Sequence, residues 1–341
     1  QLRAMREIAE DLSRPVTANR LIQGDVGSGK TAVAMYAVFW AACCGAQSLL
    51  LAPTSLLAVQ HFRMAQSLFG ERVALLTGAP PAGEGEEIRR KAAAGEIDVL
   101  VSTHAALYEQ LAFCNLQLLV IDEQHRFGVL QRSKMAGQYP GLHTITMSAT
   151  PIPRSLAMIL HGSAEISVLN ELPPGRTPVK TFLIGKNKRA ALYDWLAERV
   201  ATGEKAYIVC PLLEPSEGIA AVSVQEMRQG LQKRYPAWRI GILHGRMRAE
   251  EKTEVMRRFA AGEVSVLIST TVVEVGVDVP DATIMIVENA DRFGLAQLHQ
   301  LRGRVGRGSL ASYCYFVSDG AGQERLRILK ECSDGFAIAR K

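Results

Sequence analysis

Eight residues near the amino end constrain this chain more than any others: Gly24-Asp25-Val26-Gly27-Ser28-Gly29-Lys30-Thr31, a full G-x-x-x-x-G-K-T pattern. The pattern follows a short apolar run, Arg20–Gln23, and opens a helical one, Ala32–Ala42. A strand that turns through glycines into a helix leaves the helix's first backbone N–H groups without partners, and an anion such as a phosphate suits them. Gly24, Gly27, Ser28 and Gly29 then form the cradle. Lys30 supplies a positive charge to β and γ phosphates, and the Thr31 hydroxyl is placed to ligate Mg²⁺. The competing reading is an ordinary glycine-rich turn, which needs neither the strand before nor the helix after.

A phosphate cradle of this kind needs a layered α/β body, and the rest of the chain supplies one. Strands are expected at Arg20–Gln23, Ser48–Ala52, Val73–Leu76, Asp98–Ser102, Leu118–Ile121 and Thr144–Met147, with helices at Thr31–Cys44, Leu56–Phe69 and Gly85–Ala94. The rhythm repeats at Val179–Ile184, Tyr207–Cys210, Ile240–Leu243, Ser265–Ser269, Thr283–Val287 and Tyr313–Val317. Such alternation predicts mostly parallel sheets covered by helices. With 341 residues, two domains are the natural division. The break is expected at the proline-rich segment Leu172-Pro173-Pro174-Gly175-Arg176-Thr177-Pro178, giving 1–172, a linker at 173–180, and 181–341. Residues 93–103, AAGEIDVLVST, return almost unchanged at 260–270 as AAGEVSVLIST, which suggests that the halves share an ancestry.

The metal of a phosphate cradle needs a carboxylate. Leu118-Leu119-Val120-Ile121-Asp122-Glu123 reads as a buried strand ending in two: Asp122 is placed to hold Mg²⁺, and Glu123 to orient or deprotonate an attacking water. Gln124 and His125 complete D-E-Q-H, and His125 is expected to couple this site to a bound strand. Ser148-Ala149-Thr150 closes the next strand. Ser148 and Thr150 can relay hydrogen bonds between the metal site and a bound strand, although for this motif alone plain helix capping by Thr150 is the favoured reading. Gln300-Leu301-Arg302-Gly303-Arg304-Val305-Gly306-Arg307 interleaves three arginines with glycines, so that all three can reach a phosphate. Gln300, Arg304 and Arg307 are the catalytic candidates there, the two arginines as fingers on the γ-phosphoryl group of a site completed when the lobes close. In Ile268–Pro280, Thr270 and Thr271 look like phosphate-backbone contacts, with Gly276 and Asp278 facing the nucleotide; a structural turn is the alternative.

Composition narrows the partners. Residues 1–172 carry 14 Lys and Arg against 15 Asp and Glu, whereas 173–341 carry 25 against 19, so the basic half fits a polyanion. The six cysteines form no CxxC pair, and Cys43 and Cys44, in an apolar helical run, are expected to be buried thiols of a reducing cytoplasm. No apolar run is long enough to span a bilayer.

In this order the motifs resemble those of the superfamily-two helicases, and within that group the RecG-type family. The stretches that carry the likeness are Asp122–Val129, Ser148–Arg154, Asn170–Pro178 and Phe293–Leu301. The resemblance implies two tandem RecA-like P-loop domains, ATP as nucleotide, Mg²⁺, and translocation on branched DNA such as forks and Holliday junctions, in recombination and repair. It further implies a monomer of the bacterial cytoplasm, associated with the nucleoid and free of membrane. By the same likeness Gln1 contacts adenine, Pro53, Thr54, Thr103 and His104 contact nucleic acid from the first lobe, and His244, Gly245, Arg246, Thr270 and Thr271 do so from the second. These contacts go to phosphate and sugar, so binding is expected to depend on salt rather than base sequence. Two departures stand out: the stretch Gly78–Glu87 is acidic where the family is basic, and Ser102 replaces a glycine.

A transcription-repair coupling translocase shares the His-Arg-Phe-Gly-Val and Gly-Arg-Val-Gly-Arg signatures, but usually carries a second Glu where Gln124 stands. An RNA helicase shares the architecture. A scaffold that binds nucleotide without turnover would have lost Lys30, Glu123 or Arg307, and all three are present. The first residue is Gln1 and the last stretch, Gly335–Lys341, still has helical pattern, so a piece of a longer protein is expected, one that binds ATP but unwinds forks poorly.

Overall fold

Runs such as Gln47–Ala52 and Val99–Thr103 are apolar at consecutive positions, so strands built from them must be covered on both faces. In the computed structural model they are. It describes residues 1–78, 83–103, 111–122, 135, 137–148, 164–171, 177–211, 224–245, 247–270, 279, 281–306, 308, 310–319, 322–332, 335 and 338. The chain divides into two units, Gln1–Leu172 and Pro173–Lys341.

The first unit runs α1 (Leu2–Leu12), β1 (Asn19–Gly24), α2 (Lys30–Cys43), β2 (Gln47–Ala52), α3 (Ser55–Phe69), β3 (Val73–Leu76), α4 (Glu84–Ala93), β4 (Val99–Thr103), β5 (Leu116–Asp122), β6 (His143–Ser148) and β7 (Glu165–Leu169). Its seven strands pair in parallel in the order β3-β4-β2-β5-β6-β1-β7. Successive residues serve opposite faces. Leu50 and Val101 join the core under α1, α2 and α3, while Leu49, Leu51 and Leu100 join the one under α4. The second unit runs β8 (Lys180–Ile184), α5 (Arg189–Ala201), β9 (Lys205–Cys210), α6 (Val224–Arg234), β10 (Ile240–Leu243), α7 (Ala249–Ala260), β11 (Val266–Thr270), β12 (Ala282–Val287), α8 (Leu295–Arg302), β13 (Tyr313–Val317) and α9 (Gly322–Glu331). Its sheet is again parallel, in the order β10-β11-β9-β12-β13-β8. The last residue of the expected linker, Lys180, already belongs to β8. Among the described residues no helix is long and apolar enough to cross a membrane.

The repeated sequence is a repeated structure. Each copy ends a helix, passes a glycine at positive φ (Gly95 at 73°, Gly262 at 77°) and enters a strand. Each closes with the same bond across the turn, Glu96 N–H to Lys91 O and Glu263 N–H to Arg258 O, both 2.9 Å. A left-handed residue there lets the following N–H reach back over the helix end, and glycine adopts it without strain.

Two elements outside the sequence expectation, α1 and β7, are fixed to β1 by one buried cation. Arg20 Nε donates to Asp11 on α1 at 2.5 Å, while its terminal nitrogens donate to Glu165 and Ser167 on β7 at 2.5 and 2.9 Å. A buried guanidinium is tolerated because carboxylates surround it, and removing one partner of such a set typically costs about 3–5 kcal/mol.

Cys43 and Cys44 correct the sequence expectation, since both are exposed. The buried stripe of α2 is Val33, Ala34, Met35, Ala37, Val38 and Ala41; Cys43 falls outside it on the last turn, and Cys44 caps the helix. By contrast Cys210 and Cys314 are buried, and burial pushes both thiols up to about 12. A small maleimide at neutral pH should therefore modify Cys43, Cys44 and Cys114 in the native protein and spare Cys210 and Cys314 until it unfolds. Peptide mass spectrometry reads the pattern, and equal labelling of all five would contradict this packing.

Candidate nucleotide and nucleic-acid edge

Because every strand of the first sheet is parallel, all its carboxyl ends lie on one edge, and the loops leaving that edge are neighbours. The register makes the order explicit. Ala52 is level with Thr103, Asp122 with Met147, and Ser148 with Gln23. Along the edge stand Thr103 on β4, Pro53-Thr54 after β2, Asp122 on β5, Ser148 on β6 and Gly24 on β1. The residues expected at nucleic acid thus occupy one half of the edge and those expected at nucleotide the other, with Asp122 between them.

The phosphate cradle is shaped by its glycines and closed by its lysine. Gly29 caps α2 at φ 91°, with no side chain to satisfy the first N–H groups of the helix. A Cβ on Gly24 would stand 2.5 Å from Ser28 Oγ and 2.9 Å from Leu169 Cβ. Lys30 Nζ donates to the carbonyls of Gly24 and Asp25 at 2.8 and 2.9 Å, bending over its own loop. The Ser28 hydroxyl is buried with no partner among the described residues. Gln1, expected at adenine, donates from Nε2 to Ser28 O at 2.7 Å, so the amino end lies against the cradle. Thr31 follows on the first turn of α2, half-buried.

Asp122 is nearly buried, and one of its oxygens is taken: His61 on α3 meets Oδ2 from Nε2 at 2.8 Å. Sequence reasoning passed over His61, although a signal exists. It shares the buried face of α3 with Leu57, Ala58 and Ala65, and a polar residue in an apolar stripe calls for a partner. Thr31 and Asp122 offer the hard oxygens that Mg²⁺ takes, with phosphate oxygens and water completing the shell. Among the described residues no cluster of three or more His, Cys, Asp or Glu could hold a metal unaided.

The departures from the resemblance have local explanations. Glu84, Glu86 and Glu87 fill the first turn of α4, where negative charge meets the positive end of the helix dipole. Ser102 is buried and donates from Oγ to Leu76 O at 2.5 Å, tying β4 to β3. Thr54 accepts from Leu57 N–H at 3.3 Å and so caps α3.

In the second unit, His244 and Gly245 leave β10 beside Thr270 at the end of β11, since Leu243 is level with Ser269. Lys252 on α7 holds that turn by donating to Gly245 O at 2.9 Å. The hydroxyls of Ser269 and Thr270 are buried without partners among the described residues. Gln300 lies on α8, and Arg304 follows its end. Arg302 corrects the expectation of three phosphate-facing arginines. It is buried, donating to Leu329 O at 2.6 Å and Cys332 O at 2.9 Å at the carboxyl end of α9, with His299 Nδ1 at 2.8 Å. A guanidinium suits that place because the last carbonyls of a helix lack partners. The candidates His104, Glu123, Gln124, His125, Thr150, Arg246, Thr271, Gly276, Asp278 and Arg307 lie outside the described residues.

Known proteins match this arrangement. A DEAD/DEAH box helicase model matches residues 1–159, and a helicase conserved C-terminal domain model matches 187–309. A protein of Synechocystis sp. named ATP-dependent DNA helicase RecG is 45% identical over 346 residues, covering 99% of this chain and 42% of that protein. One of the same name from Thermotoga maritima is 46% identical, covering 99% of this chain and 44% of that protein. The chain therefore spans less than half the length of these relatives. A solved structure of RecG bound to a three-way DNA junction superposes with a TM-score of 0.84 at 43% identity, covering 99% of this chain and 45% of that one. Dbp5 of S. cerevisiae, bound to RNA and ADP BeF3, shares the fold at a TM-score of 0.71 and 18% identity. The chain is thus two tandem RecA-like α/β domains that match the two helicase domain models in order, and along nearly its whole length it is similar to part of the proteins named RecG.

Proposed function

We propose that this chain is the motor of a bacterial DNA helicase, hydrolysing ATP to translocate on branched DNA such as replication forks and Holliday junctions during recombination and repair. The observation that supports it most is the shared edge of the first sheet, where the phosphate cradle and Asp122 stand in line with Pro53, Thr54 and Thr103. The family's relatives named RecG, and the RecG complex with a three-way junction, support branched DNA as the substrate.

In this reading the backbone of Gly24–Gly29 and the first turn of α2 bind the phosphates, and Gln1 binds the adenine. Lys30 exchanges its two loop carbonyls for β and γ oxygens. Thr31 and Asp122 hold Mg²⁺, which when bound neutralises charge on the β and γ phosphates. Glu123 orients the attacking water, Arg304 and Arg307 bring positive charge to the γ-phosphoryl group, and Gln300, Gly276 and Asp278 complete the nucleotide contacts. His125, Ser148 and Thr150 carry the state of the γ phosphate to the nucleic-acid contacts. Those contacts are Pro53, Thr54, Thr103 and His104 from the first unit, and His244, Gly245, Arg246, Thr270 and Thr271 from the second. The motor works as a monomer in the cytoplasm, at the nucleoid.

Steady-state ATPase with and without a three-way DNA junction tests the reading. Turnover should rise with the junction, and Lys30→Ala should lower it by about 100-fold or more, as removal of a charge-stabilising donor does. Turnover indifferent to that substitution would overturn the assignment of the cradle. Turnover that ignores DNA would remove translocation from the reading of this chain. Gly24→Ala should weaken ATP binding by roughly 5- to 150-fold, the equivalent of the ~1–3 kcal/mol that overpacking costs, because its methyl group collides with Ser28 and Leu169. Unchanged affinity in equilibrium titration would show that the loop yields.

A further inference from the structure

We infer that His61 is a positioning residue for Asp122: its imidazole holds one carboxylate oxygen so that the other is presented to Mg²⁺. The inference rests on the reading of ATP and Mg²⁺ at this edge, and gives a role to a side chain that no motif contains.

Three observations converge. His61 is 3% exposed and lies in the apolar stripe of α3, a costly place for an imidazole unless it has a task. Its Nε2 meets Asp122 Oδ2 at 2.8 Å. Its other nitrogen, Nδ1, is buried and has no partner among the described residues. A carboxylate oxygen only accepts, so in this bond Nε2 is the donor. The ring is thus committed to Asp122 alone.

The chemistry explains why such a bond belongs here. A carboxylate at a strand end can turn about its last torsion, which is broad and nearly two-fold. Fixing Oδ2 on a donor carried by another element removes that freedom and leaves Oδ1 to a ligand. Carboxylates that ligate metals are commonly held in this way, and loss of the outer partner typically costs about 10–100-fold in metal affinity. The alternative, that His61 itself binds the metal, fits poorly, because Mg²⁺ takes oxygen donors and Nε2 is already engaged. A role in packing alone makes a different forecast, since leucine fills an apolar helix face better than histidine.

The test follows binding of a fluorescent, non-hydrolysable ATP analogue as Mg²⁺ is titrated, with a parallel arm in EDTA, on the whole chain and its variants. His61→Leu keeps bulk and removes the donor. His61→Gln returns an amide N–H near the place of Nε2, whereas His61→Asn sets it near Nδ1, away from Asp122. His61→Leu and His61→Asn should raise the Mg²⁺ concentration at half-saturation by about 10–100-fold, with His61→Gln within about threefold of the parent. Binding in EDTA should stay the same in all four proteins. Should leucine unfold the chain, the asparagine and glutamine pair still decides. Superimposable Mg²⁺ curves for parent and His61→Asn, or a shift in His61→Gln as large as in His61→Asn, would overturn the inference and leave the ATP reading standing. A parent chain that binds no analogue in either arm would overturn the ATP reading itself, and this inference with it.

Discussion

The parallel register of β5, β6 and β1 is the constraint on which the candidate site depends. These strands are hydrogen-bonded neighbours in that order, so Asp122 lies two strand spacings, roughly 10 Å, from the end of β1. Two central strands separated by one other bring a carboxylate and a phosphate cradle within reach of one metal ion. Register decides more than distance, because a slip of one residue in β5 would turn Asp122 to the opposite face and bury Ile121 in its place. Leu119 and Ile121 belong to one core and Leu118 and Val120 to the other, so such a slip would exchange their places between the two cores.

The same logic separates what the sequence disclosed from what it did not. Leucine- and valine-rich runs such as Ser48–Ala52 and Thr283–Val287 disclosed their strands because a parallel sheet demands continuous apolar sequence. The cradle disclosed itself because its spacing serves one geometry. The anchor of β7 left no local trace: α1 carries apolar residues at helical spacing, Met5, Ile8 and Leu12, but nothing near Glu165 reports a cation 145 residues away in the chain. Arg302 misled for the complementary reason. Its motif is a run of arginines, but the carbonyls that claim it belong to Leu329 and Cys332, on a helix that follows much later. The cysteines of α2 were misplaced by composition, since an apolar run does not show which residue falls beyond the buried stripe.

His61 belongs to this class of long-range polar contacts, and α3 gives it added meaning. The helix is capped at Thr54, an expected nucleic-acid contact, and carries His61 two turns further on, against Asp122. One helix of 15 residues therefore touches both the nucleic-acid half of the edge and the carboxylate between the halves. The carboxylate's hydrogen bond thus depends on where α3 lies, and α3 begins at Thr54.

The internal repeat extends the argument to the second unit. An offset of 167 residues maps 93–103 onto 260–270, and the same offset carries β3, Val73–Leu76, onto β10, Ile240–Leu243. In each sheet these are an edge strand and the strand beside it: β3 and β4 in one, β10 and β11 in the other. Thr103 and Thr270 consequently end equivalent strands, each nearly buried, and Thr77-Gly78 occupies the place of His244-Gly245. Each unit thus presents a threonine and a glycine turn at the same corner of its sheet, while only the first unit carries G-x-x-x-x-G-K-T at the other end of that edge. The two units are thus alike at one corner of the sheet and differ at the other, where the glycine-rich loop belongs to the first alone. In the motor proposed above, that division would let one corner track the nucleotide and work against a second that responds to it differently.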